Sequence, residues 1–113
     1  MKSLKHLTDL EQQAVRLFSK KAKALLGNKL VKLKLFGSKV RGDSSSESDI
    51  DILIVVKERD FATGEQISEI AADINVTLDV VISPVIYSVH EYERNRYFKT
   101  LFIENVEREG VAI

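Results

Sequence analysis

Apolar residues recur with two different spacings along this chain, and each change of spacing marks the border of a predicted element. Thr8-Asp9-Leu10-Glu11 has the form of a helix capping box, and apolar residues follow at helical spacing until Gly27. These residues are Leu10, Ala14, Leu17, Phe18, Ala22 and Leu25. The pattern predicts an amphipathic first helix that ends at Gly27.

Three strands are predicted after this helix. Leu30–Phe36 alternates apolar and polar residues, which is typical of a strand with one buried face near its start. Asp49–Val56 contains a continuous apolar run, so we expect this strand to be covered on both faces in the centre of a sheet. Val76–Ile82 is rich in β-branched residues, and we expect that strand to end at Ser83-Pro84, because proline has no N–H to donate.

Two more capping boxes predict the remaining helices. Thr63-Gly64-Glu65-Gln66 precedes a short apolar stripe, and Ser88-Val89-His90-Glu91 precedes one or two C-terminal helices that end at Gly110. The predicted fold class is therefore α+β, a small mixed sheet of about three strands covered by helices. A chain of 113 residues can close one core, so a single domain over residues 1–113 is expected.

Composition excludes several classes of protein. Seventeen basic residues balance seventeen acidic ones, so no overall positive field exists to hold nucleic acid, and strong nucleic-acid binding is not expected. There is no cysteine for disulfides or thiolate metal sites. The longest apolar run, Ile52–Val56, is far below the roughly 20 residues that span a bilayer. We expect a soluble, cytoplasmic protein that does not enter membranes.

One spacing points to a particular chemistry. Gly37-Ser38 ends the first strand, and after ten intervening residues Asp49-Ile50-Asp51 opens the second strand. Glycine allows a sharp turn and close backbone approach, and Ser38 offers a hydroxyl and an amide at the start of a short helical turn through Arg41. Alternate strand residues share one face, so Asp49 and Asp51 could hold Mg²⁺, whose remaining ligands would be triphosphate oxygens and water. The pattern predicts nucleotidyl transfer.

Asp79 is the candidate third metal ligand. It lies between Leu78 and Val80 in the predicted third strand, where a charge within an apolar run needs a partner or a metal. A third carboxylate would allow a second ion, and Asp79 could also accept the proton of the attacking hydroxyl. The alternative is that Asp79 faces solvent at a strand end.

Two basic residues near the motif have less specific interpretations. Arg41 could neutralise phosphate charge, or it could hold the loop by pairing with Asp43 or Glu47. Lys39 is expected to be a solvated side chain. The segment from Asp43 to Ser48 is polar and is expected to form a solvated loop.

Four segments resemble the nucleotidyltransferases of the DNA polymerase beta superfamily, and the minimal nucleotidyltransferases are the branch most similar to this chain. They are Leu35-Phe36-Gly37-Ser38, Arg41-Gly42-Asp43, Ser48-Asp49-Ile50-Asp51-Ile52-Leu53 and Leu78-Asp79-Val80-Val81. The resemblance covers nearly the whole chain, up to the ending Glu107-Arg108-Glu109-Gly110. It implies a mixed sheet, two magnesium ions held by Asp49, Asp51 and Asp79, and triphosphate contacts from Gly37 and Ser38.

The resemblance also implies a partner. Minimal nucleotidyltransferases are typically encoded beside small helical HEPN-domain proteins, often as antitoxin and toxin, and some transfer AMP from ATP to a tyrosine of the toxin. This implies a magnesium-dependent enzyme with ATP as donor that acts as an antitoxin on a HEPN-domain protein. Little sequence remains to build an acceptor pocket, which favours a protein acceptor. The oligomeric state is open, and a homo-oligomer is compatible with the sequence.

Two other functions stay open from the sequence. The chain could be a non-catalytic binding module that covers its partner with Phe98, Phe102 and Ile103 of the C-terminal helices. Against this, three converging carboxylates would repel one another without a metal. It could also transfer a nucleotide to a small molecule such as an aminoglycoside.

Overall fold

The computed structural model describes residues 4–43 and 48–113, in which helices cover both faces of a mixed sheet. The helices are α1 (Asp9–Leu26), α2 (Ser38–Arg41), α3 (Phe61–Leu78), α4 (Val89–Phe98) and α5 (Leu101–Glu109). The strands are β1 (Leu30–Phe36), β2 (Ile50–Val56), β3 (Ile82–Ser88) and β4 (Val111–Ala112). The predicted α+β class is confirmed. Most of the predicted solvated loop falls in residues 44–47, which lie outside the described residues.

The sheet has the order β3-β2-β1-β4. Strand β1 is antiparallel to both β2 and β4, and β2 is parallel to β3. The predicted central position of β2 is confirmed, because every residue of this strand except Asp51 is buried. The predicted three strands did not include β4. Its two residues pair with Lys34 and Leu35, and they are too few to show an alternation of apolar and polar residues.

The two faces of β2 enter different apolar layers. Ile50, Ile52 and Ile54 pack with α1 and α3 on one side of the sheet. Leu53 and Val55 pack with α4 and α5 on the other side. Because side chains alternate along a strand, Asp51 projects from the same face as Leu53 and Val55. The second aspartate of the motif therefore emerges on the side of the sheet that carries α5.

Two of the three predicted capping boxes are confirmed. The boxes at Thr8 and Ser88 both form, and Gly27 ends α1 with a φ of 53°. The box predicted at Thr63 is wrong. Helix α3 begins earlier, because the carboxylate of Asp60 is the N-cap and accepts a hydrogen bond from the Thr63 amide at 2.7 Å.

The predicted third strand is also wrong in its position. Helix α3 continues into the β-branched segment as far as Leu78, and Asp79 follows it in the left-handed region with a φ of 53°. Strand β3 then begins at Ile82 and includes Pro84 instead of ending before it. Proline is tolerated there because β3 lies at an edge of the sheet in the described part of the chain.

The side chain of Asn75 fixes where the helix gives way to the strand. Its Oδ1 accepts a hydrogen bond from the Ile82 amide at 2.7 Å, and its Nδ2 donates to the Ile82 carbonyl at 3.3 Å. The apolar residues Ile67, Ala71 and Ile74 continue the helical spacing up to this point and are buried. Packing of this face outweighs the local β-propensity of the residues that follow. Among the described residues, no helix combines the length and apolar character needed to cross a membrane.

Candidate active site

A tight turn connects β1 to α2 at the predicted glycine. Gly37 has a φ of 88°, a conformation that favours glycine, and its carbonyl accepts hydrogen bonds from the amides of Val40 at 3.0 Å and Arg41 at 3.2 Å. Ser38 is half-buried and begins the single turn of α2. Gly42 ends the turn in the left-handed region, and its amide donates to the Ser38 carbonyl at 2.9 Å. We name residues 37–41 the glycine turn.

Asp51 lies directly against the glycine turn. Phe36 and Asp51 are partners in the β1–β2 register, which brings the next residue, Gly37, beside the aspartate. A Cβ atom on Gly37 would collide with Asp51 Oδ2 and would lie 3.3 Å from Cγ. Gly37 is therefore required both for its backbone conformation and for the space that the Asp51 carboxylate fills.

The two aspartates of the motif share an electrostatic environment. Asp49 is exposed just before β2, and Asp51 is half-buried at the start of the strand. Burial raises the pKa of Asp51 most strongly, the negative charge of Asp49 raises it further, and the positive charge of Arg41 partly lowers it. Asp51 thus lies beside Gly37, and Asp49 and Arg41 are near enough for their charges to act on it. A bound cation would relieve the repulsion between the two carboxylates.

Asp79 lies outside this cluster. It is exposed at the C-cap of α3, and together with Thr8 and Ser48 it lines a small cleft of about 160 Å³. In residues 4–43 and 48–113, no three His, Cys, Asp or Glu residues are grouped so that they could hold a metal ion. The structure therefore does not bring Asp79 into a three-carboxylate site with Asp49 and Asp51. Those two side chains still offer oxygen donors suited to Mg²⁺, whose other ligands would be phosphate and water.

Arg41 is held by two carboxylates. Its Nε donates to Asp43 Oδ2 at 3.1 Å, and its Nη1 donates to both carboxylate oxygens of Glu109 at 2.9 and 3.1 Å. These contacts favour the interpretation that Arg41 holds the loop. Glu47, the other predicted partner, lies outside the described residues.

Glu109 is a site residue that sequence reasoning missed. Its Oε1 also accepts a hydrogen bond from the Gly37 amide at 3.2 Å. Glu109 lies 72 positions from Gly37 and 68 from Arg41, so no local spacing in the sequence signals the contact. Only the packing of α5 beside β1 brings it to the glycine turn.

The prediction that Lys39 is solvated is wrong. Lys39 is 2% exposed, and its Nζ lies 2.7 Å from Glu11 Oε2 of helix α1. Burial is the largest single effect and raises the pKa of Glu11, but hydrogen bonds with Lys39 and Thr8 and the charge of Lys39 together outweigh it, so the pKa is lowered. The ion pair fastens the glycine turn to the first helix.

Comparison with known proteins shows which family this chain belongs to. The model of the family described as "Nucleotidyltransferase domain" matches residues 15–113. Two proteins of Methanocaldococcus jannaschii, each named "Putative protein adenylyltransferase", are similar to this chain. One is 38% identical over 102 residues, covering 89% of this chain and 96% of its own length. The other is 33% identical over 100 residues, covering 88% and 94%.

A solved structure also shares the fold. It is described as a "putative minimal nucleotidyltransferase" and superposes with a TM-score of 0.58 at 23% identity, covering 95% of this chain and 98% of that chain. That structure shows the shared fold, and the family model together with the two relatives shows that the chain is a nucleotidyltransferase. The chain belongs to the nucleotidyltransferase domain family, as the sequence resemblance predicted.

Proposed function

We propose that this protein transfers AMP from magnesium-bound ATP to a hydroxyl group of a partner protein. The observation that carries the proposal is the Asp51 carboxylate packed against the Gly37 turn, with Asp49 beside it. Two carboxylates that could ligate a metal therefore lie next to the turn to which the proposal assigns the triphosphate. A protein acceptor is supported by the names of the two relatives from M. jannaschii.

In the proposed reaction, the acceptor oxygen forms a bond to the α-phosphorus of ATP. The bond between that phosphorus and the bridging oxygen of pyrophosphate breaks, pyrophosphate leaves, and the acceptor proton passes to a carboxylate or to water. When bound, Mg²⁺ would neutralise phosphate charge and lower the pKa of the attacking hydroxyl. Asp49 and Asp51 would hold the ion, while Gly37 and Ser38 position the triphosphate.

The ligand role of Asp79, and with it a second magnesium ion, stays a prediction. Asp79 is exposed at the end of α3, and within the described residues it is not grouped with Asp49 and Asp51, so the reaction proposed above assigns it no role. The substitution Asp79→Asn tests the role directly. If Asp79 is a ligand, this variant should lose as much activity as Asp51→Asn.

Transfer of AMP can be tested with ATP radiolabelled at the α-phosphate, in the presence of Mg²⁺ and the HEPN-domain protein expected to be encoded beside this one. We expect labelled partner with the wild-type protein and none with the double variant Asp49→Asn, Asp51→Asn. Asp73→Asn is the matched control, because Asp73 is an exposed residue of α3. ATP labelled at the γ-phosphate should leave the partner unlabelled. Absence of label from the α-phosphate would remove the proposal.

An antitoxin role toward the HEPN-domain protein follows from the same proposal. Modification of the toxin would silence it, so co-expression of the wild-type protein should restore growth. The double aspartate variant should fail to restore growth while it still folds. Restored growth by that variant would show that catalysis is not required.

A non-catalytic binding module is the second candidate, and exposed apolar residues favour it. Tyr97, Phe98 and Leu101 at the junction of α4 and α5 are 80%, 63% and 74% exposed. The surface predicted from the sequence is corrected, because Ile103 is buried and Phe102 is partly buried against Phe36 and Tyr87. Protection of cells by the double aspartate variant would support this candidate, and its failure would exclude it.

A further inference from the structure

The carboxylate of Glu109 joins both ends of the glycine turn. Oε1 accepts from the Gly37 amide at 3.2 Å at the start of the turn and from Arg41 Nη1 at 2.9 Å at its end. Oε2 accepts from the same Arg41 nitrogen at 3.1 Å. A single side chain from α5 thus spans the segment that follows β1. Hydrogen bonds of this kind, with at least one charged partner, are stronger than those between neutral groups.

Glu109 is itself held firmly in place. Its side chain is 10% exposed, and the next residue, Gly110, donates its amide to the Val106 carbonyl at 2.7 Å. A Cβ atom at Gly110 would collide with that carbonyl and would lie 3.3 Å from Lys34 Cδ, so the chain passes close to β1 here. Pairing of β4 with β1 follows directly. The end of α5 is therefore fixed by its own last turn on one side and by the pairing of β4 with β1 on the other.

These contacts determine which groups of the turn can meet a ligand. The Gly37 amide is directed at Glu109, and the Arg41 guanidinium is engaged by Glu109 and Asp43. Arg41 also lies close enough to Asp51 to lower its pKa. Glu109 thus fixes the backbone around Ser38 and keeps Arg41 at a defined distance from the aspartates.

We propose that Glu109 is a positioning residue for the nucleotide: it holds the glycine turn in the shape that receives the triphosphate, and it links that shape to the docking of α5 and β4. This inference rests on the proposed function, because the ligand of the turn is taken to be ATP. Glu109 acts through Gly37 and Arg41 and does not touch the nucleotide. A segment 72 residues away in sequence from Gly37 thereby controls nucleotide affinity.

The test compares Glu109→Gln, Glu109→Ala and Glu107→Gln. Gln keeps an oxygen for the Gly37 amide but removes the charge that pairs with Arg41, whereas Ala removes both contacts. Glu107→Gln is the matched control, because it removes one charge from the same helix and its partner is Arg96. We expect the KM for ATP to rise roughly tenfold or more in Glu109→Ala and by less in Glu109→Gln, with kcat changed less than KM.

A purely structural role would give a different result. Partial unfolding would lower the concentration of active enzyme and the apparent kcat without raising KM. An unchanged KM in folded Glu109→Ala, or an equal rise in Glu107→Gln, would overturn the proposal.

A second measurement follows the contact itself and requires no nucleotide. The Gly37 amide of the wild-type protein should exchange slowly with solvent deuterium, because it donates to a buried carboxylate. Glu109→Ala should speed its exchange more than that of amides in the centre of β2. Unprotected Gly37 in the wild-type protein would refute the contact. Protection at Gly37 in a protein that does not use ATP would leave the contact standing and reject the proposed function instead.

Discussion

At the scale of single residues, Gly37 has little freedom to change. Its left-handed backbone and its contact with Asp51 each exclude a side chain. Most surface substitutions alter stability only slightly, whereas a substitution at this position opposes both the backbone and the neighbouring carboxylate.

Gly37→Ala should therefore destabilise the protein by about 1–3 kcal/mol and weaken ATP binding at least about tenfold. Gly64→Ala is the matched control, since Gly64 lies in α3, where an added Cβ atom would have no neighbour within 4 Å. That control should stabilise the protein by roughly 0.5–1 kcal/mol. Urea denaturation and calorimetric titration with ATP measure both effects. Tight ATP binding by Gly37→Ala would show that Asp51 moves aside without penalty.

The second prediction concerns the buried pair of Glu11 and Lys39. Glu11→Gln should destabilise the protein at neutral pH by about 3 kcal/mol, because it removes the buried carboxylate that lies 2.7 Å from the Lys39 ammonium. Glu69→Gln, at an exposed position of α3, is the control and should change little.

The pH dependence of this difference follows from the lowered pKa of Glu11. A carboxyl with a lowered pKa in the folded state stabilises that state fully above its ordinary value near 4.5. The contribution is lost as the pH falls through the lower, folded-state value. Wild type and Glu11→Gln should therefore differ most at neutral pH and approach each other in acid, as measured by urea denaturation at several pH values. A difference that is constant with pH would argue against the ion pair.

At the scale of elements, the end of α3 shows where sequence patterns mislead. Val76 and Thr77, which follow Asn75, are β-branched and favour a strand, yet the buried stripe of α3 and the two hydrogen bonds from Asn75 to Ile82 keep Val76–Leu78 helical. The strand begins only after the left-handed residue Asp79. Here the tertiary contacts of α3 and Asn75 outweigh the local β-propensity, and the spacing of residues in the sequence does not reveal those contacts.

Asn75→Ala tests this contact. The substitution removes the acceptor of the Ile82 amide at the buried start of β3, and we expect a loss of about 1–3 kcal/mol in the free energy of unfolding. Asn28→Ala in the exposed turn after α1 is the control and should have a much smaller effect. Equal losses in the two variants would mean that Asn75 does not join α3 to β3.

The parts of the fold and of the site that can be predicted from the sequence are those determined by residues close together in the chain. Strand β1, strand β2 and the Gly37 turn are marked by neighbouring residues. The burial of Lys39 depends on Glu11 in another helix, and the role of Glu109 depends on α5 packing beside β1. The neighbours of Asp79 predict a strand, although tertiary contacts continue the helix through Leu78.

At the scale of the whole molecule, the Asp51 carboxylate lowers stability, and the proposed function gives it the role of a metal ligand. Its raised pKa means that the ionised carboxylate destabilises the nucleotide-free protein, with burial and the charge of Asp49 as the causes. For an acid with a raised pKa, this penalty is present above the folded-state pKa and disappears below the ordinary value, near 3.8. Magnesium and ATP would compensate for it.

Asp51→Asn should therefore have two opposite effects on thermal stability. Without ligand, its Tm should exceed that of the wild-type protein at neutral pH, and the difference should vanish in acid. With Mg²⁺ and ATP, the wild-type protein should gain about 2.7 kcal/mol at a ligand concentration of 100 Kd, and the variant should gain little. Differential scanning fluorimetry measures both, with Asp73→Asn as the control. Equal ligand-induced shifts in the wild-type protein and Asp51→Asn would exclude Asp51 from the binding site.

The presence of Pro84 inside β3 has a consequence for how the folded molecules behave in a crowded solution. A strand at the border of a sheet is a template on which another chain can align and start an aggregate. Proline interrupts that template, because it has no N–H for an incoming strand to pair with. The residue that misleads strand prediction thus helps to keep neighbouring molecules apart.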